Sequence, residues 1–462
     1  MAGGVSAALA RAWDTNVGTA SQWWHLDGST LQVATDTTSG ATKIANLPDE
    51  LIKGHYRFCN AFIWPVMHDL GQFATFNPDD KQQYDLFNDM LGWCILRASD
   101  RALAGNYFIQ DYQLAPLPRY MRDKMGARSL VFWHIPWPKE VAAEFVEPIA
   151  DLVKGLLASE GVGFHTQEYA ENFLRFIDLY MPEYSVDFQA MEAAETRGLV
   201  SLSRARSSRT ALRPVRPRGT RAIVAPLGID FDNWAQLAAR QDNTVLHPTL
   251  MRSPFILSVD RADYTKGVTN RIKAIDSFFE HYPEWQEKIV FAQICGKTRT
   301  GLDAFENYWN ECRRQGDELQ QKWSTRNWQP LLWLDKSFEG PQLALLYRQA
   351  EMMLVNPVRD GLNLTAKEYV ACQGRDPGVL ALSAGAGAWQ ELGTHAVTVE
   401  PADCKQMADS IHRSLVMNID EKSWRIANLK NNIRNNTLSK WWNEFASLLN
   451  GEEVAAGSTA VG

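Results

Sequence analysis

The sequence predicts an α/β protein built on doubly wound parallel sheets, and three observations carry that prediction. From about residue 254 strand-length apolar runs alternate with helical stretches, the order that makes a parallel sheet covered by helices. In the first half "NYFI" (106–109) and "LVFW" (130–133) are short apolar runs that end at polar residues, the position where such sheets hold ligands. The length of 462 residues exceeds what one ordinary core supports, so at least two large domains are expected.

Between the two early strands lies "QLAPLPRYMRDKM", a helix with Pro118 near its start. "APLGIDFDNWAQLAARQDNTVLHPTL" (225–250) reads as the passage between domains, because a strand runs into a Pro/Gly turn and a polar stretch follows. "PFILSV" then reads as a strand and "TNRIKAIDSFFEHY" as an amphipathic helix with Thr269 as its N-cap, followed by "KIVFAQIC" as a strand. "PLLWL" (330–334), "QLALLYRQA" (342–350), "EMMLVN" (351–356), "LTAKEYVACQ" (364–373) and "GVLALS" (378–383) continue as strand, helix, strand, helix, strand. The resulting organisation is a first domain over 1–240, a second over 241–435, a helix over 436–450 that packs back on the domains, and a small polar tail over 451–462 read as disordered.

Composition narrows the class of function. A formal net charge of −7 argues against nucleic acid or an anionic membrane as the partner. No apolar run approaches the ~18–20 residues that span a bilayer, and "MAGGVSAALARAW" lacks the basic start and apolar centre of a secretory signal, so the cytoplasm is the expected location. The six cysteines are scattered with no C-x-x-C pair and read as reduced core residues, without a zinc site or a disulfide framework.

The densest chemistry lies in "PVRDGLNLTAKEYVACQ" (357–373), which places Arg359, Asp360, Gly361, Asn363, Lys367 and Glu368 around one helix start. A helix N-terminus carries about half a positive charge and unpaired N–H groups, which suit an anion. Gly361 allows close backbone approach, Asp360 can accept from sugar hydroxyls, and Glu368 lies roughly 12 Å further along the helix axis, about the span from a sugar across a diphosphate to a ribose. The second half of such a site is "SVDRADYTKGV" (258–268), where Arg261 and Lys266 can clamp a diphosphate and neutralise the charge of a leaving nucleoside diphosphate without a metal. Read alone, either motif is equally an ion-paired solvated loop.

Taken with "QDYQLAPLPRYMR", "FWHIPWP" and "VGFHTQEYAENF" upstream, these motifs resemble the trehalose-6-phosphate synthase family, which includes the glucosylglycerol-phosphate synthases; the resemblance covers nearly the whole chain. It implies a GT-B architecture, two Rossmann-like doubly wound domains facing each other across a cleft, and retaining transfer of glucose from a nucleotide diphosphate, with no metal or other cofactor. It makes Arg261 and Lys266 the donor diphosphate clamp, Asp360 with the backbone of Gly361, Leu362 and Asn363 the glucose grip, and Glu368 the ribose ligand. The aspartate of the family's "HDYH" matches Asp111, which helps place the acceptor, the "HIP" histidine matches His134 near the glucose, and Gly3 and Gly4 match the glycine-rich donor loop. No protein nucleophile is implied. The acceptor attacks the face from which the diphosphate leaves, and the departing phosphate takes its proton.

The departures from the family pattern lie on the acceptor side. The family's first strand and "NR" turn are missing before "MAGG", so either the sequence is cut at its start or the first domain lacks a strand. The family's "SRGD" turn corresponds to "KTRTGLDAF" (297–305), with Arg299 read one position early for the acceptor phosphate and Thr300 in the expected place. Trp64 is kept on the acceptor side, His55 stands near the usual tyrosine, and "HD" replaces "HY". Because the donor motifs are intact and the "TGL" turn is similar to that of glucosylglycerol-phosphate synthases, the sequence favours glycerol 3-phosphate as acceptor. The alternatives are glucose 6-phosphate, giving trehalose 6-phosphate, and a sugar-nucleotide-binding homologue without turnover. The donor is UDP- or ADP-glucose, the substrates are small molecules, and a homo-oligomer is allowed.

Three further features read as structural. Asp230 and Asp232 in "GIDFDNW" could hold a metal, but their place after "PLG" makes them part of the interdomain turn. The seven arginines from Arg204 to Arg221 read as a solvated loop, and the paired tryptophans Trp23–Trp24 and Trp441–Trp442 as packing residues.

Overall fold

The computed structural model describes residues 8–10, 12–13, 22–34, 40–98, 105–195, 219–240 and 247–450. Gly3, Gly4, the arginine-rich stretch as far as Arg218 and the tail 451–462 lie outside the described residues.

The chain forms two compact units, one of residues Ala12–Pro226 with Lys440 onward, the other containing Leu227–Ser439. In the first, a six-stranded sheet has the spatial order Asn106–Gln110, Arg128–Phe132, Gly161–Phe164, Thr220–Val224, Glu192–Glu195, Tyr184–Asp187. The first four strands are parallel and the last two run antiparallel as an edge hairpin. A separate three-stranded antiparallel sheet (Trp23–Asp27, Thr30–Ala34, Thr42–Asn46) belongs to the same unit. Neither antiparallel feature is visible in the alternation of apolar runs, because their strands are half exposed and short.

The second unit is the regular one. Its six strands are all parallel in the order Leu331–Leu334, Val290–Gly296, Phe255–Arg261, Met352–Val355, Val379–Ser383, Val397–Val399. Numbered along the chain this is 3-2-1-4-5-6, the doubly wound order, and the point where it reverses lies between Phe255–Arg261 and Met352–Val355. Met352–Val355 and Val379–Ser383 are buried along their whole length because helices cover both faces, which explains their unbroken apolar sequence.

Three boundaries differ from the sequence reading. The units divide at 226/227 rather than 240/241, because the helix Phe231–Ala239, capped by Asp230 accepting from Asn233 N at 3.1 Å, packs on the helices Gly340–Gln349 and Leu364–Cys372. The helix after Phe255–Arg261 starts at Val268 with Gly267 rather than Thr269 as its cap. Gly267 has φ +65°, and a Cβ there would stand 2.5 Å from Asn356 O, so the turn needs glycine. The last helix, Leu438–Asn450, joins the first unit from Lys440 on. Its Trp441 ring lies 5.0 Å from Phe132 and 5.4 Å from Phe108, and its indole N–H donates to Ala225 O at 3.2 Å.

Trp441 is 1% exposed. Its replacement by alanine should therefore cost about 3–5 kcal/mol, read as a lowered urea midpoint, since the cavity is large and walled by rigid rings. A midpoint within experimental scatter of the parent would contradict this packing.

Candidate functional site

The site of the second unit is built where its strand order reverses. The strand Phe255–Arg261 ends in a tight turn in which Asp263, with no exposed surface, accepts from Thr265 N at 3.0 Å and Thr265 Oγ1 at 2.9 Å. Arg299, reached from the end of the neighbouring strand Val290–Gly296, closes on the other oxygen of Asp263 at 2.5 Å. Burial pushes the Asp263 carboxyl up, but Arg299, then Arg261 and Lys266, outweigh it and hold the group below the usual carboxylate range. One buried anion thus gathers three cations.

Beneath this turn a second network fixes the strands. Arg271, 1% exposed, donates to Asn356 Oδ1 (2.7 Å), Gln293 Oε1 (2.6 Å) and Asp260 Oδ2 (2.6 Å), tying together three neighbouring strands. Asn356 returns a bond from Nδ2 to Gly267 O at 2.9 Å. The guanidinium is satisfied by three partners of fixed geometry, which is what makes a buried charge tolerable.

Across the switch point, Lys266 Nζ meets Asp360 Oδ2 at 2.5 Å, with both side chains 12% exposed. Asn363 Nδ2 donates to the same oxygen at 3.1 Å. Asn363 has φ +81° and caps the helix Leu364–Cys372, its Oδ1 accepting from Ala366 N at 3.2 Å and Thr365 Oγ1 at 2.8 Å. A non-glycine residue held in this conformation at a helix start is the kind of strain found at ligand sites. The backbone from Asp360 to Leu362 is held by the following loop: Asp360 N donates to Gly385 O at 2.8 Å, Gly387 N to Asp360 O at 3.1 Å, and Ala388 N to Leu362 O at 2.8 Å. Gly387 lies so close that a Cβ on it would come within 2.0 Å of Gly361 O. Further along the helix, Glu368 is buried and accepts from the hydroxyl of Tyr347 at 3.1 Å.

In the first unit, Asp111 follows the strand Asn106–Gln110 with φ +72°, and its Oδ1 accepts from His134 N at 3.0 Å. The imidazole of His134 faces Gln110 Oε1 at 2.9 Å through Nε2, so Nε2 carries the proton and Nδ1 the lone pair. Burial lowers the His134 pKa to about 3, which keeps the ring neutral.

The sequence-predicted residues fall into clear groups. Arg261, Lys266, Asp360, Gly361, Leu362, Asn363, Glu368 and Arg299 share one unit, with Lys266, Asp360 and Asn363 in direct contact. Asp111 and His134 meet in the other unit. Arg299, not Thr300, is the inward residue of its turn, and its guanidinium lies against Asp263 and the Phe305 ring at 4.9 Å. His55, read as standing near the acceptor-side tyrosine, is half-buried among aromatic rings. Its ring stacks between Phe87 (3.9 Å) and Tyr84 (5.3 Å), Nε2 donates to Gln113 O at 3.0 Å, and burial takes its pKa to about 4. Trp64 is buried against His68 and Tyr112. Asp230 caps a helix, and among the described residues no group of three or more His, Cys, Asp or Glu side chains is arranged to hold a metal. Sequence reasoning missed Asp263, Arg271, Asn356 and Tyr347. Only Asp263, lying between the two cations of its motif, carried a local signal.

Residues 12–451 match the model of glycosyltransferase family 20. The chain belongs to glycosyltransferase family 20. It is 31% identical over 409 residues to the bifunctional trehalose-6-phosphate synthase/phosphatase of Thermoproteus tenax, an alignment covering 86% of this chain and 52% of that protein. This family 20 chain spans about half the length of the first curated relatives it matches. Among solved structures it is similar to a UDP-forming alpha,alpha-trehalose-phosphate synthase from Burkholderia xenovorans in complex with glucose-6-phosphate (TM-score 0.81, 27% identity, 98% of this chain and 96% of that one). It is likewise similar to an E. coli trehalose-6-phosphate structure bound with UDP-2-fluoro glucose (TM-score 0.80, 26% identity, 97% and 96%). The expected GT-B class, α/β with two Rossmann-like domains, is the one found.

Two histidines, His134 buried and His55 half-buried, set a pH dependence. Their folded pKa values, about 3 for His134 and about 4 for His55, lie below the unfolded value of 6.5, so the unfolded chain binds more protons between those limits and stability is lost as pH falls below 6.5. Acidification from pH 7.5 to pH 5 should remove roughly 2 kcal/mol per histidine, measured by urea unfolding at both pH values. A stability unchanged over this window would mean that neither ring is held neutral.

Proposed function

We propose that this chain is a retaining glucosyltransferase that moves glucose from a nucleotide diphosphate to glucose 6-phosphate, forming trehalose 6-phosphate and a nucleoside diphosphate. The observation that carries the reading is the convergence of Lys266, Asp360 and Asn363 on one helix N-terminus at the switch point of a doubly wound sheet. Arg261 and Lys266 with the helix dipole neutralise the donor diphosphate, Asp360 and the backbone of Gly361, Leu362 and Asn363 hold the glucose, and Glu368 holds the ribose. The family resemblance adds Gly3 and Gly4 to donor binding, and gives Asp111 to the acceptor and His134 to the glucose.

In the transfer, the bond from glucose C1 to the donor phosphate oxygen breaks and a bond to the acceptor hydroxyl oxygen forms on the same face. The acceptor proton passes to the departing phosphate. The chemistry is electrostatic: the protein places positive charge where negative charge develops. Nothing in this sequence of steps uses a metal, so turnover should be unchanged by EDTA.

Glucose 6-phosphate is preferred here to the glycerol 3-phosphate favoured by the sequence, because the relatives named above carry trehalose-phosphate synthase descriptions and one was solved with glucose-6-phosphate. Arg299 also supports the change: it is the inward residue of its turn, the role the sequence reading gave to position 300. Glycerol 3-phosphate stays as the second reading on the strength of the Thr300–Gly301–Leu302 turn, in which Gly301 has φ +84°.

Mass spectrometry of reactions containing UDP- or ADP-glucose with either acceptor tests this directly. Trehalose 6-phosphate is expected, glucosylglycerol phosphate would move the acceptor to glycerol 3-phosphate, and donor binding without any product would make the chain a binding homologue. Lys266→Met should lower kcat/KM by about 10²–10³, as loss of one oxyanion-directed donor does.

A further inference from the structure

Lys367 has no exposed side-chain surface. A buried ammonium is tolerated only when paired and hydrogen-bonded. It donates to Leu227 O at 2.9 Å and forms an ion pair with Glu391. Glu391 accepts from Asn436 Nδ2 at 2.8 Å through Oε1, and its carbonyl accepts from Asn432 Nδ2 at 2.7 Å.

The far partners sit where the chain crosses the unit boundary. The stretch Leu227–Ser439 of this unit is entered at Leu227 and left after Ser439, so Leu227 lies at the first of these two crossings and Asn436 three residues before the second. The crossings are joined to each other inside the unit: Ile229 bridges Thr437, and Leu438 N donates to Ile229 O at 3.4 Å. Gly228 packs so tightly there that a Cβ would come within 2.3 Å of the Thr437 carbonyl carbon.

The near ends of the pair sit on the proposed donor site. Lys367 lies on the helix capped by Asn363 and is adjacent to Glu368. Glu391 lies on the short helix Trp389–Leu392, directly after Ala388, whose N–H holds Leu362 O. Both loops that cradle Asp360–Leu362 therefore run, within one helical turn, into a single buried ion pair whose other bonds reach both crossings.

We infer that Lys367 and Glu391 are positioning residues that register the donor-binding loop 360–363 against the two chain crossings, so that nucleoside diphosphate binding is transmitted to residues 227–229 and 436–438. This rests on the donor-site reading given above. A ligand that tightens the 360–363 loop favours one placement of the pair, and the crossings share that placement through contiguous buried contacts. A pair with only a structural role would be replaceable by neutral side chains without any change in the response to ligand.

Hydrogen–deuterium exchange of the full chain, with and without saturating UDP or ADP, reads this out. Binding is established separately by calorimetry. In the parent protein, exchange at 227–229 and 436–438 should slow by about tenfold on binding, within the usual range of coupling between sites. In the neutral pair Lys367→Met with Glu391→Gln the nucleotide should still bind and that slowing should disappear. Lys367→Met alone leaves the largely buried Glu391 carboxylate without its counter-charge and is expected to fold less well, so the double variant carries the test. Binding with no slowing at the crossings, or slowing that survives in the double variant, would overturn the inference. The absence of binding by either nucleotide would overturn the donor-site reading itself, and the coupling with it.

Discussion

The ion pair between Lys266 and Asp360 is the constraint on which the second unit's site depends. It joins the turn after the first strand of the sheet to the loop after the fourth, the two segments that the doubly wound order brings side by side. Both residues carry charge at a point where burial makes charge expensive, and each is held by further partners: Asp360 by Asn363, the Lys266 turn by Asp263. An anionic ligand entering here would meet a lysine already desolvated and oriented. Preorganisation of this kind is what lets electrostatic stabilisation act at full strength.

Under that pair the structure invests buried polar groups heavily. Arg271 reaches three strands and Asp263 gathers three cations, while the Gly385 and Gly387 backbone presses against Asp360 and Gly361. Such networks are costly when one member is missing and specifying when complete. They explain why glycine is needed at 267 and 387, where a Cβ would collide with neighbouring carbonyl oxygens rather than with side chains able to move.

Much of the second unit was legible in the sequence because its signals are local. Unbroken apolar runs mark strands covered on both faces, and the donor-side residues come in two contiguous motifs. Arg271, Gln293, Asp260 and Asn356 were not legible, since each is one polar residue on a different element and only the sheet order brings them together. The surroundings of His55 were not legible either: the resemblance set it near the acceptor-side tyrosine, while the two aromatic rings and the Gln113 carbonyl that meet it come from distant parts of the sequence. The boundary near 240 moved because the helix Phe231–Ala239 owes its allegiance to tertiary packing on two distant helices, which no local pattern encodes.

The most direct measurement is a crystal structure of this chain with a non-transferable donor such as UDP-2-fluoro glucose. The diphosphate is expected within hydrogen-bond distance of Lys266 and Arg261, the sugar against Asp360 and the backbone of Gly361 to Asn363, and the ribose at Glu368. A donor bound elsewhere, or a diphosphate that leaves Lys266 and the start of the Leu364–Cys372 helix untouched, would contradict this placement.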